Sequence, residues 1–382
     1  MGYYLTNCSV GSNHTLWYHD GGKAIVAVMV AVRVSIAVAG IVGNSMVIYA
    51  ALTKRNAMCA SFRYLNRVVL SLAFADLFYS LLGQPFDILH WYASLSGLGP
   101  KLRRCGGMWI MSIMTFFQDV CSGASCFHVA LILLLRCLCL MQPLRFEKWH
   151  LKISKIGITG IWIYTITIVL IPTFISFMIT KGLSDELYKK YKNPYSTAWT
   201  MVYQLTLTVP LVLNVILCIV QLYLIKKRDA KSNTNEEYES YDSGPPDIRI
   251  SDHSTRKTKS VLQTNGINSR ASRKKALARM IKMVTIGTII CYTPNLLFRS
   301  YLMQMVRHDT SYNTYDSTGK VVFAFFARVG LQLGSIINPF IYATTIPQFK
   351  KLVKRYMTFS LGTKASETGS GAQTFTMPAS YH

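Results

Sequence analysis

The chain has 382 residues and a net charge of +24, yet 51% of it is hydrophobic, only 15% is charged, and its mean hydropathy is positive at +0.27. A soluble domain carries about 25% charged residues, so this chain has too little charge to cover a water-facing surface and too much apolar content to be disordered throughout. What remains is a polytopic all-α membrane protein, whose basic excess reads as attraction to an anionic membrane surface and not to nucleic acid.

Residues 1–23 are mostly polar and hold two sequons, Asn7-Cys8-Ser9 and Asn13-His14-Thr15, which mark an extracellular, glycosylated terminus where they are used. Seven apolar stretches follow, roughly at 24–50, 67–90, 107–140, 154–180, 197–225, 280–305 and 320–344. Each is long enough for the approximately 20 helical residues that cross a bilayer, so 24–344 is predicted to be a seven-helix bundle. The first stretch lies behind a polar lead and lacks a small-residue cleavage site, so it reads as a span and not as a signal peptide. With the N-terminus outside, most of the 41 Lys and Arg fall on inner segments, the orientation that basic residues favour.

Segment 226–279 is polar, punctuated by Gly and Pro, and basic at both ends; it reads as a disordered third inner loop whose ends continue the flanking helices. Residues 345–358 read as an eighth, short amphipathic helix, with Phe349, Leu352, Val353 and Tyr356 on one face and Lys and Arg on the other. Residues 359–382 read as a disordered Ser/Thr-rich tail. The nine cysteines contain no CxxC pair and predict neither a disulfide framework nor a metal cluster. No internal repeat supports a transporter. No nucleophile–base group or phosphate-cradling glycine loop points to an enzyme.

Polar residues inside the spans carry the functional signal, because hydrocarbon makes them costly. Asp76 lies at the centre of VVLSLAFADLFYSLL, with Ser125, Ser335 and Asn338 at similar depth in other spans and Asn44 near them in the first. Two readings use the same residues. One is a sodium site held by Asp76 and Ser125, since oxygen ligands suit a small hard cation; the other is a water-filled structural network. Arg136, inside LILLLRCLCL, either snorkels to the headgroups or acts at the inner end. Pro172, Pro210, Pro294 and Pro339 interrupt spans, and each removes a backbone hydrogen bond, giving hinges or passive packing features.

Together these residues resemble the rhodopsin-like family of G-protein-coupled receptors, over residues 24–358. The resemblance rests on Gly43-Asn44; on Leu72-Ala73-Phe74-Ala75-Asp76; on Ser125, Arg136 and Pro143-Leu144 at the family's spacing; on Trp162 and Pro210; on Cys291-Tyr292-Thr293-Pro294, which is similar to a CWxP motif; and on Asn338-Pro339-Phe340-Ile341-Tyr342, an intact NPxxY. It implies a plasma-membrane receptor with an extracellular ligand, a heterotrimeric G protein engaged through Arg136 and Tyr342, and arrestin and receptor kinases acting on the Ser/Thr tail. In it Asn338, Pro339, Tyr292 and Pro294 belong to the activation machinery, and Asp76, Ser125, Ser335, Asn338 and Asn44 to a sodium-and-water network.

The departures from the family pattern are specific. Leu135 and Cys137 flank Arg136 where the family has an acid and usually a tyrosine, and Lys274 and Lys275 stand where many receptors place a restraining acid. An inactive state held less firmly, with ligand-independent signalling, is the expectation. Tyr292 replaces a tryptophan, and Cys218 a tyrosine. Met111 fills the place of the helix 3 disulfide cysteine, and loop 181–196 has no cysteine, which leaves Cys8 and Cys105 as the conceivable extracellular pair.

For the ligand, the resemblance points to Asp87, Gln118, Asp119, Arg299 and Arg328. Gln118 in place of an acid disfavours an amine, and Gln332 in place of the opsin lysine excludes covalent retinal. Two arginines and two acids suit a peptide or another zwitterionic or anionic ligand, unless the charges pair with one another. A non-coupling or decoy relative of opsins is the alternative function.

Overall fold

The computed structural model describes residues 20–53, 63–95, 108–182, 204–241, 279–301 and 318–345, with Val202 and Gln304 as isolated positions. The described residues are helical, without a strand. In chain order they form α1 (Asp20–Thr53), α2 (Arg63–Phe78), a π turn (Tyr79–Gly83) leading into α3 (Gln84–Leu95), α4 (Met108–Met141), α5 (Pro143–Gly182), a second π turn (Gln204–Thr208) leading into α6 (Val209–Tyr241), α7 (Arg279–Tyr301) and α8 (Thr318–Thr345). Seven helical spans are long and apolar enough to cross a membrane, with α2 and α3 forming one of them, so the protein is a seven-transmembrane bundle. The sequons at Asn7 and Asn13, Cys8, Cys105, Lys274, Lys275 and the amphipathic segment from Phe349 onward lie outside the described residues.

The fourth span begins earlier than hydropathy places it. Gln142 alone separates α4 from α5: its N–H still donates to the Leu138 carbonyl, and its own carbonyl accepts from Phe146 N–H, both at 2.9 Å. Proline suits the first position of a helix, where its missing donor is not needed. The added turns are amphipathic, with Phe146 and His150 buried and Arg145, Glu147 and Lys148 exposed, a pattern that an averaged hydropathy profile does not register.

Proline also shapes the second and seventh spans. Pro85 lacks an N–H, and just before it the helix widens so that Gln84 N–H donates to the Tyr79 carbonyl, five residues back. Pro339 cannot donate to the Ser335 carbonyl, yet α8 continues through it. The orphaned oxygen is taken by Asn44 of α1, whose Nδ2 donates to it at 2.9 Å. That bond ties the first span to the seventh at the point where the proline weakens it.

The bundle is centred on α4, which packs against α2, α5 and α6, while α1 lies between α2 and α8. Outward-facing Val28, Ile156 and Ile219 are exposed, as lipid-facing side chains must be. Glycines set how closely helices meet. A Cβ on Gly330 would stand 2.8 Å from the Cys291 backbone oxygen, and one on Gly334 would stand 2.7 Å from the Tyr292 ring, so α8 needs both to approach α7.

Candidate functional site

Polar residues recur at helical spacing along three spans and meet at one seam. On α2, its π turn and α3 they are Asp76, Ser80, Gln84 and Asp87; on α8 they are Arg328, Gln332, Ser335 and Asn338; α1 supplies Arg33 and Asn44. Apart from the partly exposed Arg328, all are buried. A polar group in such a place is tolerated only when bonded, and these bond to one another. Asn338 Nδ2 donates to Asp76 Oδ2 at 2.9 Å, and Ser80 Oγ to the Asp76 carbonyl at 2.8 Å. Gln84 Nε2 donates to Ser335 Oγ at 3.0 Å, and Ser335 Oγ to the Gln332 carbonyl at 2.8 Å. Arg33 Nε donates to Gln332 Oε1 at 3.2 Å. The result is a continuous hydrogen-bonded chain from Arg33 to the Asp76 level.

Ser125 of α4 lies close to the Asp76 carboxyl. The hydroxyl of Tyr292 lies near the same serine and near Cys126 beside it, so the residue in the tryptophan's place borders this network. Two buried amide oxygens, Asn44 Oδ1 and Asn338 Oδ1, have no hydrogen-bond partner among the described residues. A carboxylate, a hydroxyl and spare amide oxygens form an all-oxygen set that fits a small hard cation. Among the described residues, no three His, Cys, Asp or Glu converge as a transition-metal site would require.

At the other end of the chain, Asp87 is clamped by two arginines. Its Oδ2 pairs with Arg33 and its Oδ1 with Arg328. Arg33 is wholly buried and lies over the Trp91 ring, 5.4 Å from its centroid, an arrangement that favours a desolvated cation. On α7, Arg299 pairs with buried Asp119 at 3.6 Å, and Gln118 is buried beside it. The structure therefore couples four of the five expected ligand residues into ion pairs. Arg33, Ser80 and Gln84 are absent from the sequence-predicted set. Arg33 stands within AVMVAVRVSIAVA, so the cost of an ionisable residue in a span marks it directly; Ser80 and Gln84 follow from extending the Asp76 stripe by one and two turns.

Arg136 is half-buried at the opposite end. It follows Ser125 by eleven residues, about 16 Å along a helix, and buried Val129, Ile132 and Leu133 fill the interval on α4. They pack with Leu72, Val284, Ile281 and fully buried Tyr342 into an apolar layer. The gap between α4, α7 and α8 in this layer is too narrow for water. The acids expected around Arg136 in the family are missing, and the polar group beside the arginine is the Tyr64 hydroxyl of α2, close enough to interact with it electrostatically. The Tyr64 ring is buried edge-on against Phe146, with centroids 5.0 Å apart, and against His150 at 5.6 Å. The α5 extension after Pro143 thus supplies the seat for that tyrosine. Cys137, next to the arginine, reaches α6, where its thiol donates to the Leu217 carbonyl at 3.7 Å.

A second buried group links α2, α4 and α5. Trp162 Nε1 donates to Ser71 Oγ at 3.0 Å, and Ser71 meets His128 Nε2 at 2.8 Å. His128 Nδ1 lies 2.6 Å from the Ala124 carbonyl. A carbonyl can only accept, so Nδ1 is the protonated nitrogen and Nε2 accepts from Ser71. The motif tryptophan is thereby fixed through a histidine that the sequence reading passed over.

A family model described as 7 transmembrane receptor (rhodopsin family) matches residues 43–342, from the Gly43-Asn44 pair to the closing tyrosine of NPxxY. A comparison with individual curated proteins finds no match. The seven spans, the Asp76 network, the proline-bearing α7 and α8, and a family match across well over half of the sequence lead to one conclusion: the chain belongs to the rhodopsin family of seven-transmembrane receptors.

Proposed function

We propose that the protein is a plasma-membrane G-protein-coupled receptor, with its N-terminus outside, that transmits binding of an extracellular peptide or other zwitterionic or anionic ligand to a heterotrimeric G protein. The observation that carries this reading is the buried polar chain, which runs from the Arg33–Asp87–Arg328 cluster to Asp76 and Asn338. A ligand that binds one state of the cluster better shifts the bundle toward that state, and the chain offers a physical link to Asn338 and Pro339 of NPxxY.

In this reading Arg136, released from Tyr64, and Tyr342, released from the apolar layer, meet the G protein at the inner end. Tyr292 and Pro294 on α7 form the hinge between the two ends. Asp76 and Ser125 would hold a sodium ion, with Asn338, Ser335 and Asn44 in the surrounding network; the ion would supply a positive charge against the Asp76 carboxylate. Asn7 and Asn13 would carry glycans, the Ser/Thr tail would meet kinases and arrestin, and the basic inner segments would meet anionic lipid.

The test is nucleotide exchange on purified G-protein heterotrimers of different α subunits, catalysed by the receptor in lipid nanodiscs. Exchange that depends on Arg136 is the expected result. Exchange on no heterotrimer, with or without Arg136, would favour the non-coupling receptor instead, a reading that draws on Leu135 in the place of the family's acid.

A further inference from the structure

We infer that the inner end of α5 is a docking site for a polyphosphoinositide of the cytoplasmic leaflet, held by Arg145, Lys148, Lys152 and Lys155 with Trp149 among them. The inference gives the anionic-lipid contact of the receptor reading a place and a lipid class, and it rests on that reading only for orientation.

Spacing defines the face. Residues 145, 148, 149, 152, 155 and 156 recur at intervals of three and four, so they form one stripe on a helix. All are exposed, while Phe146, His150 and Ser154 are buried on the opposite side. The stripe runs on as Ile163, Leu170 and Phe174, again exposed. One outward face therefore changes from basic to apolar between Lys155 and Ile156, which marks where the helix enters hydrocarbon. Residues 156–180 contain no charged side chain. They make about 37 Å of helix, enough for a hydrocarbon layer of about 30 Å. Residues 143–155 stand outside that layer, and Trp149 lies where interfacial tryptophans gather.

Length selects the lipid. From Lys155 to Arg145 the cations extend over about 15 Å of helix axis, whereas the headgroup layer is only about 5–7 Å deep on each side. A lipid whose charge lies in one plane meets Lys155 and Lys152 and leaves Lys148 and Arg145 in water. An inositol ring that carries further phosphates rises out of that plane and meets all four. Arg145 adds forked donors suited to a phosphate. Lys152 Nζ lies 5.6 Å from the centroid of the Trp149 ring, a contact that keeps the ammonium on this face. Glu147, the only acid on α5, is turned about 140° around the helix from Lys152. None of the four cations forms an ion pair among the described residues, so their charge is open to a phosphate.

In the experiment, dioctanoyl phosphatidylinositol bisphosphate is titrated against the full-length receptor in phosphatidylcholine nanodiscs, beside dioctanoyl phosphatidylserine and free inositol trisphosphate. Each cation near an anionic headgroup contributes roughly fivefold, so the two that the serine lipid misses should make the bisphosphate lipid bind about 30-fold more tightly. Lys148→Gln with Lys152→Gln should weaken its binding by about the same factor. Lys226→Gln with Lys227→Gln, the same charge change at exposed positions of α6, should leave binding unchanged. Equal losses from the two pairs would reduce the effect to general attraction by basic charge and overturn the site. A serine lipid that binds as tightly as the bisphosphate would overturn the lipid class, and free inositol trisphosphate that binds as tightly as the lipid would overturn the membrane source. Nanodiscs present both leaflets, so these outcomes do not depend on orientation. An antibody against an N-terminal tag tests orientation on unpermeabilised cells. No staining there, with lipid selectivity intact in nanodiscs, would keep the site and remove the orientation; staining with no selectivity would do the reverse.

Discussion

Tyr64 occupies a role that the residues around Arg136 leave open. With Leu135 in place of an acid, the guanidinium would be restrained by nothing nearby in sequence, and the polar group beside it, the Tyr64 hydroxyl, comes from a different span. A neutral phenol restrains an arginine less than a carboxylate does, since hydrogen bonds between two charged partners are the strong ones. Tyr64→Phe keeps the ring packed on Phe146 and His150 and removes only the hydroxyl. It should raise ligand-independent G-protein activation several-fold, measured in cells at matched surface expression; unchanged or lower activity would show that the hydroxyl restrains nothing. At Asp76 the prediction concerns sodium. Replacing choline chloride with sodium chloride should raise the unfolding midpoint of the purified receptor, and Asp76→Asn should remove that dependence. Equal sodium shifts in both proteins would leave the buried oxygens as a water-filled network only.

At the level of the helices, the Asn44–Pro339 pair shows how a motif residue earns its place physically. Asn44→Ala leaves the Ser335 carbonyl buried without its donor, at a cost of about 1–3 kcal/mol. Pro339→Ala restores an N–H that can bond that carbonyl, so Asn44→Ala should cost clearly less in the Pro339→Ala background. A double-mutant cycle on thermal unfolding measures the difference, and simple additivity would refute the assignment. Gly330→Ala forces a methyl against the Cys291 backbone oxygen at 2.8 Å. Backbone cannot yield as a flexible side chain can, so a loss of about 1–3 kcal/mol is expected by the same assay; a neutral result would mean that α7 and α8 can part. Most of the architecture was legible from sequence because hydropathy and motif spacing are local. The early start of α5 was not, since an amphipathic stretch is diluted in a hydropathy average. Arg33 matches no motif position, and only the rule that any ionisable residue in a span must find a partner marks it. The approach of Tyr64 to Arg136 and the bond from Asn44 to Ser335 join residues far apart in sequence, and no spacing encodes them.

Over the whole molecule, two polar ends are separated by an apolar layer. One end holds charges locked in pairs and the other a half-buried arginine, with Leu72, Leu133, Ile281 and Tyr342 packed between them. Such a layer keeps the ends electrically apart while the bundle is closed, and it must part if a signal is to pass. The proposed function turns on coupling of the Arg136 end to a G protein. It is tested most directly by G-protein activation in cells without ligand, across α-subunit classes, comparing the wild-type receptor with Tyr64→Phe and Arg136→Ala at equal surface expression. A basal signal on at least one α subunit, raised by Tyr64→Phe and abolished by Arg136→Ala, is the expected result. Silence from both the wild type and Tyr64→Phe on every α subunit, with the proteins confirmed at the surface, would contradict it.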